Sequence, residues 1–135
     1  MAAGKVRFDA VDVVRAIDAF ATAPNGGLVV LPPQPIRPIF SALLRVATEH
    51  RLPAVYSGGR TVAAGGGLVA YGTNNASLSR RAADYVDRLL RGAKVADLPI
   101  QFPTKYDLVI NLTTASAIGL NIPATLRLRA DEVIE

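Results

Sequence analysis

The sequence contains no cysteine, no tryptophan and a single histidine, His50. Without cysteine the chain has no disulfide, no thiolate metal site and no cysteine nucleophile. One histidine cannot supply a metal site with several histidine ligands, and it argues against a Ser-His-Asp triad. We therefore expect neither a metal ion nor a hydrolase built on these groups.

Long apolar runs and runs of like charge are also missing. No apolar stretch approaches the roughly 18 residues that a membrane-spanning helix needs. The first 12 residues contain a lysine and an arginine with no apolar segment after them, so we expect no signal peptide. The net charge of +4 is dispersed, and the arginines do not alternate with aromatic residues. This pattern favours a solvated surface over nucleic-acid binding.

Catalytic and phosphate-binding motifs are absent as well. Gly65, Gly66 and Gly67 precede a predicted strand, whereas a phosphate loop places its glycines between a strand and a helix N-terminus. Asp107 has no second carboxylate at a spacing suited to acid–base catalysis. Ser57 does not lie in a G-x-S-x-G motif. An enzyme has little support in the sequence, and we expect no cofactor.

The 135 residues are half hydrophobic, which suits a single folded domain. Apolar residues at helical spacing predict helices at residues 8–21, 37–50 and 77–91, a helical turn at 60–64, and a short helix that Thr113 or Thr114 caps and that runs to 118. Apolar or alternating runs predict strands at 28–31, 54–56, 67–71, 100–102 and 106–111. Residues 126–135 form a tail with weak patterning. This order predicts an α/β fold with a parallel sheet flanked by helices.

Local features refine these predictions. The continuous apolar run at 28–31 predicts a strand buried on both faces, as in a parallel sheet. Asp9 can cap the first helix, and Gly92 suits the end of the long helix at 77–91. That helix carries an apolar stripe, and we predict that Leu89 is buried within it.

Two tyrosines, Tyr56 and Tyr71, each end a predicted strand and are followed by small residues. Because parallel strands place their following loops at one edge, we expect Tyr56, Ser57 and Tyr71 to cluster there. Aromatic rings at strand ends can stack on a ligand while their hydroxyls form hydrogen bonds. The alternative is that both tyrosines are half-buried packing residues. On the first interpretation, the stretch at 64–74 forms the edge of a ligand cleft.

Several longer segments carry a resemblance to a known family. They are R-L-P-A-V-Y, A-G-G-G-L-V-A-Y-G-T-N, G-A-K-V-A-D-L-P-I, V-I-N-L-T-T-A, G-L-N-I-P and L-R-A-D-E-V-I-E. In this order they resemble the carboxyl-terminal part of bacterial ABC transporter substrate-binding proteins, which are periplasmic-binding-protein type I-like. The resemblance covers nearly all 135 residues.

The resemblance implies one lobe of a periplasmic-binding-protein-like fold, in which two α/β lobes close over a small molecule. Residues 1–135 would form a single domain like the carboxyl-terminal lobe, and the helix at 77–91 would cross the hinge to the first lobe. Loops that follow three of the strands would line the cleft. The implied ligand-binding residues are Pro33, Tyr56, Ser57, Tyr71 and Gly72.

The implied function is the solute-binding component of an ABC-type importer, with a small-molecule solute and a membrane permease as partners. The resemblance implies a periplasmic location, whereas a chain expressed without a signal peptide would stay in the cytoplasm. Since only one lobe is matched, we expect either a truncated protein or two copies that complete each other. We predict a homodimer, because the stripe on the helix at 77–91 would otherwise be exposed. The alternatives are a self-associating residual lobe with no transport role and a small α/β enzyme.

Overall fold

The structure is a computed structural model that describes residues 9–31 and 37–135. Its helices are α1 (Ala10–Phe20), α2 (Arg37–Glu49), α3 (Arg60–Ala64), α4 (Asn75–Leu90), α5 (Leu112–Ala117) and α6 (Ala124–Arg127), with a 3₁₀ turn at Val95–Asp97. Its strands are β1 (Leu28–Val30), β2 (Ala54–Ser57), β3 (Val69–Thr73), β4 (Tyr106–Asn111) and β5 (Glu132–Ile134). Within the described ranges, every helix is too short or too polar to cross a membrane.

The five strands form one sheet in the order β1-β2-β3-β4-β5. The pairs β1–β2 and β2–β3 are parallel, β3–β4 is antiparallel, and β4–β5 is parallel. The predicted α/β class is therefore confirmed, with a sheet that is mostly parallel. The antiparallel pair arises because the chain leaves the sheet at Thr73 and returns beside it, where Thr73 pairs with Tyr106.

Helices lie on both faces of the sheet, but they cover the two faces unequally. The first face carries α2 and α3: Phe40 of α2 packs on Tyr56, and Ala63 of α3 packs on Ala70 and Val109. The second face carries α5, and its cluster consists of Leu68, Ile110, Ala115, Ile118 and Ile122. Helix α1 packs on α2 around Ile17, Val46 and Leu52.

The prediction that the strand at 28–31 is buried on both faces is wrong. Strand β1 lies at the end of the sheet, and Val29 is 76% exposed. Its neighbour Val55 on β2 is exposed as well. No described helix covers this part of the second face.

Two predictions about the second half of the chain differ from the structure. The segment at 100–102 is not a strand, because it lies along α4: Arg81 Nε donates to Gln101 Oε1 at 2.7 Å, and Arg81 NH1 donates to the Phe102 carbonyl at 2.9 Å. The residues at 126–135, predicted to be a tail with weak patterning, contain the end of α6 and all of β5. Strand β5 forms because β4 offers it a parallel edge.

The helix ends show how individual side chains set the boundaries. Asp9 caps α1 as predicted, because its Oδ1 accepts from Val11 N and Asp12 N at 2.9 Å. Gly92 follows α4 with a φ of +94°, a left-handed conformation that favours glycine. Helix α5 is capped by Asn111, whose Oδ1 accepts from Thr114 N at 2.9 Å, and not by Thr113 or Thr114 as predicted.

Helix α4 and the segment that returns to β4 stand apart from the sheet, and we call residues 75–104 the arm. No residue of α4 is buried. Leu89 is 39% exposed, so the prediction that it is buried within this chain is wrong. The spacing predicted the apolar stripe of α4, but the stripe does not pack on the sheet.

Candidate ligand-binding site

Strands β2 and β3 end at the same edge of the sheet, where β4 and β5 begin. We call this the strand-end edge. In the β2–β3 pair, Ser57 lies opposite Tyr71. The backbone continues the pairing past the end of β2, since Gly58 N donates to the Tyr71 carbonyl at 3.2 Å. The structure thus brings Ser57 and Tyr71 together at the strand-end edge, on the second face of the sheet.

Tyr56 faces the other way. It is 2% exposed, and its ring packs edge-on against Phe40, with 5.6 Å between the ring centroids. Burial raises the pKa of Tyr56 to about 12, because the phenolate would lose its hydration. Tyr56 therefore belongs to the core under α2. It lies at the same end of the sheet as Ser57 and Tyr71, as expected, but its side chain is on the opposite face. Its contact with a ligand stays a prediction.

At this edge, Gly72 lets the backbone of β3 approach the backbone of Gly58 closely. A Cβ atom at Gly72 would lie 2.7 Å from the Gly58 carbonyl oxygen, which is far inside van der Waals contact. Only a residue without a side chain therefore fits between β3 and the loop that follows β2. This packing role explains the glycine without a ligand, and the predicted ligand contact of Gly72 stays a prediction. Pro33, the remaining predicted site residue, lies outside the described residues.

A second tyrosine joins Tyr71 at the edge. The rings of Tyr71 and Tyr106 stack with 5.7 Å between their centroids and 14° between their planes. Tyr71 is 52% exposed and Tyr106 is 45% exposed, so the pair presents an aromatic surface to solvent. We did not predict Tyr106 from the sequence, although the alternating pattern of β4 begins with it. The missing information was that β4 lies antiparallel beside β3.

A polar pocket of about 280 Å³ opens at the same edge, but on the first face of the sheet, because Asp107 and Val109 alternate with Tyr106 and Leu108 along β4. It is lined by Arg60, Asn74, Lys105, Asp107, Val109, Asp131 and Glu132. These residues come from the starts of α3, β4 and β5 and from the end of β3, so four separate segments converge there. Apart from Asp107, none of them stood out in the sequence as a candidate, because residues that are far apart along the chain carry no shared spacing.

The pocket contains charges of both signs. Arg60 Nε pairs with Glu132 Oε1 at 2.6 Å, and Asn74 Nδ2 donates to Asp107 Oδ2 at 2.6 Å. Within residues 9–31 and 37–135, Lys105 has no carboxylate at ion-pairing distance. Such a pocket can accept both a carboxylate and an ammonium group. The described ranges contain no cluster of three or more acidic or histidine side chains suited to a metal ion.

A larger groove of about 450 Å³ lies away from the strand-end edge, between α2 and the glycine turn at 65–66. Its two charged residues, Arg45 and Glu49, neutralise each other at 2.7 Å. The glycine turn connects α3 to β3. Among the described residues, the groove beside it offers a ligand no unpaired charge.

Three solved structures share this fold over most of the chain. A conserved domain protein from Vibrio cholerae has a TM-score of 0.77 at 23% identity, covering 94% of this chain and 42% of its own. An ABC domain from Streptococcus pneumoniae in complex with L-Trp has a TM-score of 0.74 at 20% identity, covering 93% of this chain and 42% of its own. The ligand-free, open structure of CD0873 from Clostridium difficile, a substrate binding protein with adhesive properties, has a TM-score of 0.67 at 18% identity. The match covers 96% of this chain and 42% of CD0873.

This chain therefore spans less than half of each solved structure. No curated protein sequence matches it. The sequence profile of one family, described as ABC transporter substrate binding protein, matches residues 8–134, which is almost the whole chain. The chain belongs to the ABC transporter substrate binding protein family.

Proposed function

We propose that this chain is the solute-binding component of an ABC-type importer and that it binds a small molecule non-covalently at the strand-end edge. The observation that carries the proposal is the family match over residues 8–134. The polar pocket and the stacked tyrosines support the position of the site, because open α/β sheets place ligands where the strands end. The proposed partners are a small solute and a permease, and the proposed location is outside the cytoplasm.

We propose an amino acid with an aromatic side chain as the ligand class. One of the similar structures holds L-Trp. In this chain, the polar pocket offers Lys105 for a carboxylate and Asp107 for an ammonium group. Side chains alternate along β4, so the Tyr106 ring lies on the other face of the sheet from Asp107, and the proposed ligand would span the strand-end edge to reach both. The exposed faces of Tyr71 and Tyr106 can stack on an aromatic ring. The predicted contacts of Pro33, Ser57 and Gly72 belong to the same proposal.

We propose that residues 1–135 make up one lobe and that the arm belongs to the surface that faces a second lobe. The strand-end edge is open on one side, and a single open surface encloses little of a ligand. A second wall is needed for strong binding. The arm leaves from this edge, so a wall that docks on the arm would also cover the pocket.

Isothermal titration with L-Trp, L-Phe, L-Lys and L-Glu tests the ligand class. We expect L-Trp or L-Phe to bind and the two charged amino acids to bind more weakly. Tyr106→Ala should weaken binding several-fold, because a stacked aromatic pair contributes about 0.5–1.5 kcal/mol. Val11→Ala, on an exposed side chain of α1 that does not line the pocket, is the control. If none of the four amino acids binds at millimolar concentration, the ligand class is wrong.

A self-associating lobe is the second candidate, and the exposed arm favours it. We propose a homodimer, because Val86, Leu89 and Leu90 of α4 are all exposed to solvent in one chain. Light scattering separates the two candidates when it is combined with the titration. A dimer that binds none of the four amino acids favours a self-associating lobe without a transport role.

A further inference from the structure

The two groups of the polar pocket that can bind a charged ligand lie in different environments. Asp107 is half-buried in β4, whereas Lys105 is exposed and precedes the first residue of the strand. The lysine carries its charge at the end of a flexible four-carbon chain. An exposed and flexible charge gains little from an ion pair, because water screens it and the side chain must become ordered. The carboxylate of Asp107 is therefore the better placed of the two groups to select a ligand.

Asn74 holds the Asp107 carboxylate in position. Asn74 Nδ2 donates to Asp107 Oδ2 at 2.6 Å, while Asn74 Oδ1 accepts from Ser77 N at 2.7 Å as the cap of α4. Because the Ser77 N–H can only donate, this cap determines which end of the amide faces Asp107. The backbone of Asn74 is held as well, since its N–H donates to the Lys105 carbonyl at 3.0 Å. Within the described residues Asp107 Oδ1 makes no hydrogen bond, so it is available to a ligand.

The charges that line the pocket leave a surplus of carboxylate. Glu132 is paired with Arg60 at 2.6 Å. Asp131 Oδ2 accepts from the Leu108 N–H at 2.8 Å, which is a neutral donor. In the described part of the chain, neither Asp107 nor Asp131 has a basic side chain at ion-pairing distance. Two carboxylates without a counter-charge thus accompany one unpaired lysine, and a ligand that adds positive charge complements the pocket better than one that adds negative charge.

We infer that the pocket selects its ligand by an ammonium group that donates to Asp107 Oδ1, so that the ligand class includes aromatic amines without a carboxylate. An ammonium group has three donors and no acceptor, which matches a pocket whose free oxygen atoms belong to carboxylates. Asn74 is a positioning residue in this arrangement, because it acts on the ligand only through Asp107. The inference deepens the proposed solute binding and rests on it.

Three molecules with the same indole ring separate the two charged groups. L-Trp carries both groups, tryptamine carries only the ammonium group, and indole-3-propionate carries only the carboxylate. Titration followed by NMR chemical shifts measures dissociation constants into the millimolar range and shows whether the amide signals of Asn74 and Asp107 move. We expect tryptamine to bind within about three-fold of L-Trp, because the lost contact to Lys105 is exposed. Indole-3-propionate should bind at least about ten-fold more weakly than either, because it loses a charge-assisted hydrogen bond.

The outcomes of this titration are distinct for the inference and for the proposed function. If indole-3-propionate binds as well as tryptamine, the inference is wrong and the proposed solute binding stands. If L-Trp binds and tryptamine does not, the carboxylate selects the ligand and the inference is again wrong. If none of the three molecules shifts any signal, the proposed function fails and the inference fails with it.

Variants that remove one charge assign the effect to individual residues. Asp107→Asn keeps an oxygen atom that can accept from Asn74, and it should weaken tryptamine binding at least about ten-fold. Lys105→Gln should weaken L-Trp binding by no more than about three-fold and should strengthen tryptamine binding, because it removes a like charge from the pocket. Asp84→Asn is the matched control, since it removes the charge of an exposed carboxylate that does not line the pocket. If Lys105→Gln weakens L-Trp more than Asp107→Asn does, the inference is overturned.

Asn74→Ser separates the positioning role from the helix cap. Serine caps helices about as well as asparagine, so circular dichroism should show the same helix content in the variant. The serine side chain has no amide to donate to Asp107, and the carboxylate is then free to turn away from the pocket. We expect the preference for tryptamine over indole-3-propionate to fall several-fold. An equal loss for both ligands, or an unchanged preference, would overturn the positioning role of Asn74.

Discussion

Tyr56 shows how the environment of one residue decides between two interpretations of the same sequence. Tyr56 and Tyr71 both end a short run followed by small residues. In the structure they point to opposite faces of the sheet, because side chains alternate along a strand and Tyr71 lies opposite Ser57, not Tyr56. One tyrosine is consequently a core residue under Phe40, and the other is an exposed ring beside Tyr106.

The buried hydroxyl of Tyr56 should make stability depend on alkaline pH. Its pKa is raised from 10.0 to about 12 in the folded chain. Below pH 10 both states hold the proton and the effect is absent. Above pH 10 the unfolded chain loses the proton first, so folding becomes less favourable, on the order of 2 kcal/mol by pH 12.

The check is a comparison of wild type with Tyr56→Phe by urea unfolding between pH 8 and 11.5. We expect a constant difference up to about pH 10, after which the wild type loses stability faster than the variant. Parallel curves over the whole range would show that burial does not hold the Tyr56 proton.

At the scale of the elements, two asparagines fix helices to the sheet. Asn111 caps α5 through Oδ1, while its Nδ2 donates to the Ala63 carbonyl on α3 at 2.8 Å. Asn74 caps α4 in the same way, accepting from Ser77 N at 2.7 Å and donating to Asp107. Each side chain therefore links a helix N-terminus to a second element. The two caps differ in burial, because Asn111 is buried and Asn74 is half-buried.

Replacing either asparagine with alanine should separate these contributions. Asn111→Ala leaves the Thr114 N–H without its cap and removes one of the two donors to the buried Ala63 carbonyl, which also accepts from Gly66 N. It should lower the free energy of unfolding by about 2–3 kcal/mol. Asn74→Ala should cost about 1 kcal/mol, because water can replace part of its bonds. Chemical denaturation of the two variants measures both values. Equal losses would mean that burial does not govern the strength of these caps.

How well the elements could be predicted depended on what stabilises each one. The long helices carry their own signals, such as the Asp9 cap and the stripe of α4, and they were found. Strand β5 has three residues and depends on pairing with β4, so its local sequence is not informative. The segment at 100–102 has alternating side chains but no neighbouring strand, and it lies along α4 instead. The cap at Asn111 was missed because two threonines nearby suit the same role.

At the scale of the whole molecule, the family and the fold class were predictable, but the site was only partly so. Ser57 and Tyr71 were placed at one edge because the order of helices and strands implied parallel pairing. Arg60, Lys105 and Asp131 could not be grouped, since their meeting depends on the antiparallel return of β4. The exposed position of β1 also escaped prediction, because an apolar run does not show whether a neighbouring strand exists.

The arm should be removable without loss of the sheet. Thr73 pairs with Tyr106, and Asn74 N donates to the Lys105 carbonyl at 3.0 Å, so the two ends of the arm are already adjacent. Replacing residues 75–104 with Asn-Gly should join β3 and β4 by a two-residue hairpin turn. We expect a folded monomer by light scattering and circular dichroism. A chain that no longer folds would show that the arm stabilises the sheet.

The paired ends of the arm also limit how it can move. A segment held at one end can swing in any direction, whereas one held by two adjacent strands behaves as a lever that turns about the line joining them. That pivot runs through Asn74 and Lys105, which line the polar pocket, with Tyr106 next in the chain. Because Asn74 and Lys105 both line the polar pocket, a solute bound there would contact the pivot of the arm itself.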